Sequence, residues 1–391
     1  SLRVCLRLPA YSASAKVICF IRKLGGWRSA ILPKSESLFQ TVPNKSVERI
    51  STLDGIRGWA ALFVVMYHVF VQNFPGEFVS PDLLGRILPF RGNSAVFAFF
   101  IISGYALSIG YIRKNDFGVL ARIAVGRYFR LVVPIALGCA VVYLFVYAGF
   151  VITPARREAA GDLSVVAHFA FVGAFSFDQQ ATVRPIPQLW TMPYELVGSF
   201  LTLCMVFMLS RRSWRFYGYA AVFLALLAIQ SIYSAFVAGI VLAEARALIG
   251  GDCIKFNYSG VAFLGAAFLL AFIPQVGYLV PVVLLSAVIV CSAVYNEAIK
   301  SFLGNSVSQF FGVISFPLYI LHGAIIHSLG VWLHQVSNDS LPVWVLVNSA
   351  VVCACVVFAW AFRWIDVAGI RFSHLVTRLV LPARLHRAFV N

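Results

Sequence analysis

Charged side chains are scarce in this chain of 391 residues, and acidic ones are the scarcest. Asp, Glu, Lys and Arg make up only 12% of the residues, while 61% are hydrophobic. Because soluble domains carry about a quarter charged residues, this scarcity excludes a soluble fold and leaves no room for a large solvated domain. Apolar runs recur instead from Ile56 to Trp364, which favours one helical bundle in a membrane.

The shortage of acids gives the chain a formal net charge of +16, from 31 Lys and Arg against 15 Asp and Glu. In a soluble protein this excess would raise the possibility of nucleic-acid binding. Here the basic residues lie between the apolar runs, where the positive-inside rule places them in cytosolic loops beside anionic lipid. We therefore expect membrane lipid as the partner of these charges, and no nucleic acid.

Paired or clustered cysteines are also lacking. The eight Cys are scattered, and no spacing between them is typical of a metal site or a disulfide framework. Cys139, Cys204, Cys291, Cys353 and Cys355 lie within apolar runs, where a cysteine is by default a small buried hydrophobe. We expect no metal and no bound cofactor.

The chain begins with a segment, 1–50, that is rich in Arg, Lys and Ser and contains only Glu36 and Glu48 as acids. Such a segment can be an organellar transit peptide, but a basic cytosolic tail ahead of the first span explains it equally, and we favour the tail. The sequence thus divides into this tail, a transmembrane domain at 51–366, and a second basic cytosolic tail at 367–391.

The apolar runs predict an all-α, polytopic transmembrane helical bundle of about ten spans. The spans lie near 56–74, 94–112, 130–152, 190–210, 215–230, 232–248, 259–273, 279–297, 309–333 and 343–364. A weaker run at 165–177 is a candidate re-entrant or surface helix. Lys and Arg concentrate in alternate loops, so the first span runs from inside to outside and both termini are cytosolic.

Two ionisable residues of the first span, Arg57 and His68, are candidates for function because such groups are costly in a membrane. They are eleven residues apart, which on an α-helix is three turns plus roughly 20°, and roughly 16 Å along the axis. They therefore share one face, a geometry that suits a donor with an anionic end and a reactive end. The alternative is that Arg57 is a positive-inside anchor and His68 a packing residue.

Other spans bring polar side chains to a similar depth. Glu195 lies about 8 Å below the outer end of its span, and His68 roughly 9 Å below the end of its own, so we expect the two to meet. Ser103 and His322 come somewhat deeper. A carboxylate beside a histidine fixes its tautomer and raises its basicity, as a general base needs. Equally, Glu195 is open to interpretation as a paired structural charge.

The loop before the third span carries Arg127 and Arg130, which are three residues apart and hence neighbours on a helix. Guanidinium groups bind phosphate bidentately. With Arg57 they would lie at the cytosolic face, where the phosphates of coenzyme A could bind. The alternative is that they are ordinary positive-inside arginines.

At these positions the sequence resembles the acyltransferase-3 family of membrane acyltransferases. The resemblance is carried by the opening Leu-Asp-Gly-Ile-Arg-Gly-Trp segment through His68, by Phe-Phe-Ile-Ile-Ser-Gly-Tyr around Ser103, and by the Arg127-x-x-Arg130 pair. The acidic motif from Trp190 to Glu195 and the segment that ends at His322 complete it. The resemblance covers the chain from about Ser51 to Leu375.

The resemblance implies His68 as the catalytic histidine, Arg57, Arg127 and Arg130 as donor-binding or structural partners, and Glu195 as a site residue. The sequence departs from the family in having Gln188 where His often opens the acidic motif, and Pro193-Tyr194 in place of a small residue and Val. Gln-Leu-Trp-Thr and the ending Phe-Arg-Trp-Ile-Asp look more like fungal members.

From these observations we expect an integral membrane O-acyltransferase that moves an acyl group from acyl-CoA, with acetyl-CoA favoured, to a hydroxyl of a carbohydrate, lipid or secondary metabolite. His68 acts as general base with Glu195, and Arg57, Arg127 and Arg130 bind the donor. Substrate contacts are assigned to Ser103, Trp190, Tyr319 and His322. The sequence does not distinguish direct transfer from an acyl-histidine intermediate, or the plasma membrane from an endomembrane. It does not indicate the oligomeric state.

Three other functions compete with this one. A transporter would use the buried His and Glu as a proton relay or substrate site, which explains the polar cavity but not the paired arginines. An inactive member would act as a partner or sensor, against which the presence of His68 and Arg57 argues. An acyltransferase with a lumenal or lipid donor would not depend on Arg127 and Arg130.

Overall fold

A computed structural model describes residues 51–151, 153–177, 184–249, 258–274, 277–338 and 340–381. The predicted basic segment 1–50 lies outside the described residues, as do residues 382–391 of the predicted C-terminal tail. Within the described ranges the chain forms helices and no strand. The expectation of an all-α fold is therefore confirmed for this part of the chain.

The helices follow one another with short connections, and we number the α-helices of the described ranges in chain order. They are α1 (Ser51–Met66), α2 (Pro81–Leu84), α3 (Gly92–Lys114), α4 (Phe117–Tyr147), α5 (Pro154–Ala160), α6 (Leu163–Phe171), α7 (Met192–Leu209), α8 (Arg215–Ala228), α9 (Ser234–Ile249), α10 (Ser259–Leu270), α11 (Leu279–Tyr295), α12 (Glu297–Gly304), α13 (Ser306–Ile325), α14 (Val331–Val336), α15 (Leu341–Ala361) and α16 (Trp364–Val380). Two π-helical segments, Tyr67–Asn73 and Ile326–Gly330, continue α1 and α13. Short 3₁₀ turns lie at Leu88–Phe90, Gly173–Phe175 and Pro187–Thr191.

Six helical segments of the described ranges are long and apolar enough to cross a membrane. They are Ser51–Asn73, Gly92–Lys114, Phe117–Tyr147, Pro187–Leu209, Ser306–Val336 and Leu341–Val380. A seventh is added when α11 and α12, which meet at a bend of 86°, are counted as one span. Several such helices make this chain a multi-pass membrane protein.

The count differs from the ten predicted spans mainly between residues 215 and 273. The predicted spans there correspond to α8, α9 and α10, which have 14, 16 and 12 residues. At 1.5 Å per residue even 16 residues reach only about 24 Å, which is short of a hydrocarbon core of about 30 Å. The count of ten and the cytosolic position of both termini stay predictions.

α1 and α13 cross in direct backbone contact because glycines lie at the crossing. A Cβ added to Gly58 would come within 2.4 Å of the backbone nitrogen of Gly312, a distance that no side chain tolerates. Trp59 ties the same crossing by donating its Nε1–H to Ser308 Oγ at 3.0 Å. Any larger residue at Gly58 would force the two helices apart.

A second glycine contact joins α3 to α9. A Cβ on Gly104 would lie 2.1 Å from the carbonyl oxygen of Phe236, and one on Gly239 would lie 2.1 Å from that of Ile101. The rings of Phe100 and Phe236 stack at 5.1 Å beside this contact. Ser103, which precedes Gly104, is thereby held in a closely packed part of the bundle.

α4 and α16 form a third closely packed pair. Asp116 caps α4 by accepting a hydrogen bond from the backbone N–H of Gly118 at 2.8 Å, as expected of an N-cap aspartate. On α16, Ser373 Oγ donates to the carbonyl oxygen of Gly126 at 2.9 Å. Residues 367–380, which the sequence predicted as the start of a basic tail, thus continue the helical fold against α4.

Candidate active site

His68 and His322 face each other where α1 and α13 run side by side. Their ring centroids are 5.1 Å apart and their planes are inclined by 27°. Each histidine lies ten residues after a glycine of the crossing, 58 to 68 and 312 to 322, so two helices that run in the same direction bring the rings to one level. The sequence placed both residues in one polar cavity, and the structure shows the two rings in contact.

Both rings of this pair hydrogen-bond to neutral oxygens. His68 hydrogen-bonds through Nδ1 to Gln72 Oε1, and the ring of Tyr67 meets it edge-on at 5.4 Å. His322 is 2% exposed, and its Nδ1–H donates to the carbonyl oxygen of Leu318 at 2.9 Å. Because a carbonyl oxygen only accepts, neutral His322 carries its proton on Nδ1 and has a lone pair on Nε2.

Glu195 is the centre of a separate, ionic cluster. Its Oε1 accepts hydrogen bonds from Nη2 of Arg127 and from Ser103 Oγ, the latter at 2.5 Å. Arg127 Nε also donates to Ser199 Oγ at 2.7 Å, and that hydroxyl donates to the backbone oxygen of Glu195 at 2.5 Å. The side chains of Arg127 and Glu195 are each 11% exposed. α3, α4 and α7 are therefore joined by one buried ion pair with two serines around it.

Arg57 lies near this cluster. It is partly buried on α1 and lies within electrostatic range of Arg127. Among the described residues its guanidinium makes no hydrogen bond and no ion pair. A partly buried cation without a partner is costly, so Arg57 is the arginine best able to accept an anionic ligand.

Arg130, the second member of the predicted arginine pair, points to α16. Its Nη2 lies 3.7 Å from Oδ1 of Asp366, which is a loose ion pair rather than a short hydrogen bond. The two side chains are 33% and 22% exposed. The Arg127-x-x-Arg130 motif thus sends its two guanidinium groups to different carboxylates on different helices.

Tyr319 connects α13 to the turn that precedes α7. Its hydroxyl donates to the backbone oxygen of Gln188 at 2.5 Å, so Thr191 Oγ1, at 2.7 Å, must be the donor in the bond between the two hydroxyls. Gln188 Nε2 donates to the carbonyl oxygen of Ile320 at 3.1 Å. Trp190 lies in the same turn, partly buried, with its ring edge-on to Tyr194 at 6.0 Å.

A small cleft opens beside Gln188. Its lining is mostly apolar and comes from α4, α13 and the turn before α7, with His327 as the ionisable member: Val142, Val151, Pro185, Ile186, Pro187, Gln188, Ile320, Gly323, Ala324 and His327. Thr153 Oγ1 lies 3.3 Å from Nδ1 of His327. A small, mostly apolar cleft thus lies next to the hydrogen bonds of Tyr319.

The structure brings the predicted residues together in two groups rather than one. His68, His322 and Tyr319 lie on α1 and α13, whereas Ser103, Arg127 and Glu195 form the ionic cluster. The expected contact between Glu195 and His68 is not among their hydrogen bonds, because Glu195 bonds to Ser103 and Arg127. Glu195 and His68 were predicted to lie at a similar depth in the membrane, but depth alone does not predict which residue Glu195 binds.

Several residues of these groups were not foreseen. Gln72 and Ser199 each lie four residues after a predicted site residue, His68 and Glu195, so an i, i+4 search for polar partners would have found them. Thr191 and Asp366 carry no such local signal, because their partners lie on distant helices. Among the described residues, no group of three or more His, Cys, Asp or Glu side chains is placed to hold a metal ion.

The sequence was compared with known proteins and families. No curated protein and no solved structure matches the chain. The sequence model of the acyltransferase-3 family, which describes an acyltransferase domain, matches residues 50–364. This match covers α1 through the beginning of α16 and includes both groups of site residues, and this chain belongs to the acyltransferase-3 family.

Proposed function

We propose that this protein transfers an acyl group from acyl-CoA, with acetyl-CoA as the favoured donor, to a hydroxyl group, and that His68 is the general base. The observation that carries the proposal is the placement of two groups on one helix. His68 lies against His322, while Arg57, roughly 16 Å away along the axis, has no partner among the described residues. A donor with a phosphate-bearing end and a thioester end matches this arrangement.

The donor phosphates bind the arginines of α1 and α4. Arg57 offers an unoccupied guanidinium, and Arg130, held only loosely by Asp366 at 3.7 Å, offers a second; guanidinium groups bind phosphate bidentately. Arg127 has its Nε and Nη2 bonded to Ser199 and Glu195. We therefore assign Arg127 and Glu195 to holding the donor-binding helices together rather than to direct contact with the thioester.

The reaction requires one base and no change of oxidation state. His68 removes the proton from the acceptor hydroxyl, and the oxygen attacks the thioester carbonyl carbon. A new C–O bond forms, the C–S bond breaks, and the leaving sulfur takes the proton from protonated His68, which gives free CoA and restores the base. The lone pair on Nε2 of His322, next to His68, accepts a hydrogen bond from the acceptor.

The acceptor, a hydroxylated carbohydrate, lipid or secondary metabolite, approaches from the side of Tyr319 and Trp190. The small, mostly apolar cleft beside Gln188 lies on this side of the site, and we place an apolar group of the substrate there. Ser103 and Tyr319 each already donate their one hydroxyl hydrogen, to Glu195 and to the backbone of Gln188. We therefore place both at the edge of the substrate site and assign neither to the oxyanion.

The test is acyl-CoA turnover by purified protein in nanodiscs, with a pool of hydroxylated acceptors. We expect His68→Ala to lower the turnover number by about 10²- to 10⁴-fold, the usual contribution of a general base, with acyl-CoA binding intact. We expect Arg57→Ala to weaken acyl-CoA binding instead, and more so at low salt, because the lost contact is ionic.

Matched controls are His168→Ala and Arg212→Ala, since both side chains are exposed and belong to neither group. Each should keep the turnover and affinity of the unmodified protein. Equal turnover by His68→Ala would exclude the base. If the unmodified protein consumes no acyl-CoA with any acceptor but moves a solute across the vesicle membrane, the transporter alternative replaces the proposal.

A further inference from the structure

Two polar residues at the end of the first span reach back to His68. Gln72 Oε1 is hydrogen-bonded to Nδ1 of His68, and Asn73 Nδ2 donates to the backbone oxygen of His68 at 2.7 Å. One neighbour thus holds the ring and the next holds the peptide group. Neither was predicted from the sequence, and neither has a role in the proposed reaction so far.

The π-helical segment Tyr67–Asn73 makes this arrangement possible. It begins one residue before His68, where α1 ends. Its wider turn leaves carbonyl groups for partners other than the regular i+4 amide. The backbone N–H of Phe74 donates to Val69 at 3.1 Å, five residues back, and the Asn73 side chain takes the carbonyl of His68. π-helical turns inside α-helices are frequent at functional sites.

The bond to Gln72 selects one tautomer of His68. An amide oxygen has lone pairs and no hydrogen, so Nδ1 of the neutral imidazole must carry the proton that is shared in this bond. The lone pair is then on Nε2, the nitrogen that acts as the base in the proposed reaction. A histidine without such a partner samples both tautomers, and only one of them presents Nε2 as a base.

The packing around the His68 ring restricts its orientation. The ring of His322 covers one face of His68 at 5.1 Å, and the ring of Tyr67 meets it edge-on at 5.4 Å. The remaining freedom, a flip about the Cβ–Cγ bond that exchanges Nδ1 with Cδ2 and Nε2 with Cε1, is opposed by the bond to Gln72. Stacking therefore fixes the plane of the ring, and Gln72 fixes the side on which Nε2 lies.

We infer that Gln72 is the positioning residue of the reaction: its amide oxygen holds the Nδ1–H of His68 and thereby presents Nε2 as the base. This inference rests on the proposed role of His68. Elsewhere a carboxylate often serves as the orienting partner of a histidine. Here the orienting partner is neutral and comes from the same helical segment, whereas the predicted carboxylate partner, Glu195, is bonded to Arg127.

The experiment compares Gln72→Leu, Gln72→Glu and the unmodified protein in nanodiscs. Leu has a similar length and no acceptor, so we expect the turnover number to fall by about 10- to 100-fold, the usual effect of losing an orienting partner, with an unchanged KM for acyl-CoA. Glu also accepts from Nδ1–H, so we expect it to recover most of the lost turnover. Gln335→Leu, at an exposed glutamine on α14, is the control and should behave as the unmodified protein.

A second readout separates this inference from the base itself. The ¹⁵N spectrum of histidine-labelled protein distinguishes the two tautomers, and the His68 signals are identified by their loss in His68→Ala. We expect the Nδ1–H form in the unmodified protein and in Gln72→Glu, and a mixture in Gln72→Leu. An unchanged tautomer and turnover number in Gln72→Leu would overturn the inference. Full turnover in His68→Ala would instead exclude His68 as the base. The spectrum of Gln72→Leu would still show whether Gln72 sets the tautomer of His68.

Discussion

The two polar groups of this bundle are built in opposite ways. The histidine pair is held by neutral groups: His68 and His322 stack on each other and bond through Nδ1 to the oxygens of Gln72 and Leu318. The group around Glu195 is ionic, with a carboxylate and a guanidinium that satisfy each other between α4 and α7. The histidine pair bonds to neutral oxygens, whereas the charges of Arg127 and Glu195 neutralise each other.

In the proposed function, this difference divides the work of the site. A buried ion pair resists change, since removing one partner leaves an uncompensated charge, which makes it suited to holding helices in register. A neutral histidine pair can exchange a proton with a substrate without first breaking an ion pair. The chemistry is therefore assigned to α1 and α13, and the framework to α3, α4 and α7.

The largest effect is expected from Glu195→Leu, which leaves the guanidinium of Arg127 buried without its carboxylate. We expect a loss of about 3–5 kcal/mol of stability, as found when one partner of a buried pair is removed. The measurement is the midpoint of thermal unfolding in detergent. The same substitution should lower the yield of folded protein.

The double variant Glu195→Leu with Arg127→Met decides whether this pair is only a framework. Replacing both charges by apolar residues of similar size is often neutral in stability, so we expect the unfolding midpoint to recover. If transfer recovers with it, the division of work holds. Recovered stability without any transfer would place the ion pair in the reaction and break the contrast between the two groups.

A smaller effect is expected from Gly58→Ala, which acts on the histidine pair from a distance. The added Cβ would lie 2.4 Å from the backbone nitrogen of Gly312, so α1 and α13 must separate, at a cost of about 1–3 kcal/mol. Because the helices carry His68 and His322, transfer should fall as well. Unfolding midpoints and initial rates measure the two effects.

The control is Gly265→Ala on α10, where an added Cβ meets nothing within 4 Å. Alanine is favoured over glycine in a helix by about 0.5–1 kcal/mol, so this variant should be slightly stabilised and fully active. Unchanged transfer in Gly58→Ala would mean that the spacing of the two helices does not govern the pairing of the histidines.

The histidine pair was partly predictable because its signals are local. The spacing of Arg57 and His68 on one helix follows from helix geometry alone, and Gly58 lies within the same segment. The pairing with His322 required the α1 and α13 crossing, which no pattern within either helix contains. Periodicity predicts that a residue is buried, but it does not predict which helix covers it.

The partners of the arginines were less predictable. The spacing of Arg127 and Arg130 predicts neighbours on one helix, and both were interpreted as phosphate ligands. In the structure one bonds to Glu195 and the other lies near Asp366, because α7 and α16 both contact α4 and each offers one carboxylate. The number of spans stays a prediction for a related reason: hydropathy records that segments such as α8 to α10 are apolar and does not fix where their helices end.

The smallest effect is expected at Arg130 and Asp366, and it sharpens the contrast from the donor side. Their atoms are 3.7 Å apart and their side chains are 33% and 22% exposed, so Asp366→Asn should cost less than about 1 kcal/mol of stability. If Arg130 binds a donor phosphate, Asp366→Asn should leave acyl-CoA affinity unchanged or raise it, because a competing anion is lost.

Arg130→Gln should lower the affinity for acyl-CoA, and the difference from the unmodified protein should shrink at high salt. Titration of acyl-CoA into each variant measures this, and equal affinity in Arg130→Gln and the unmodified protein would leave Arg57 as the sole proposed phosphate ligand.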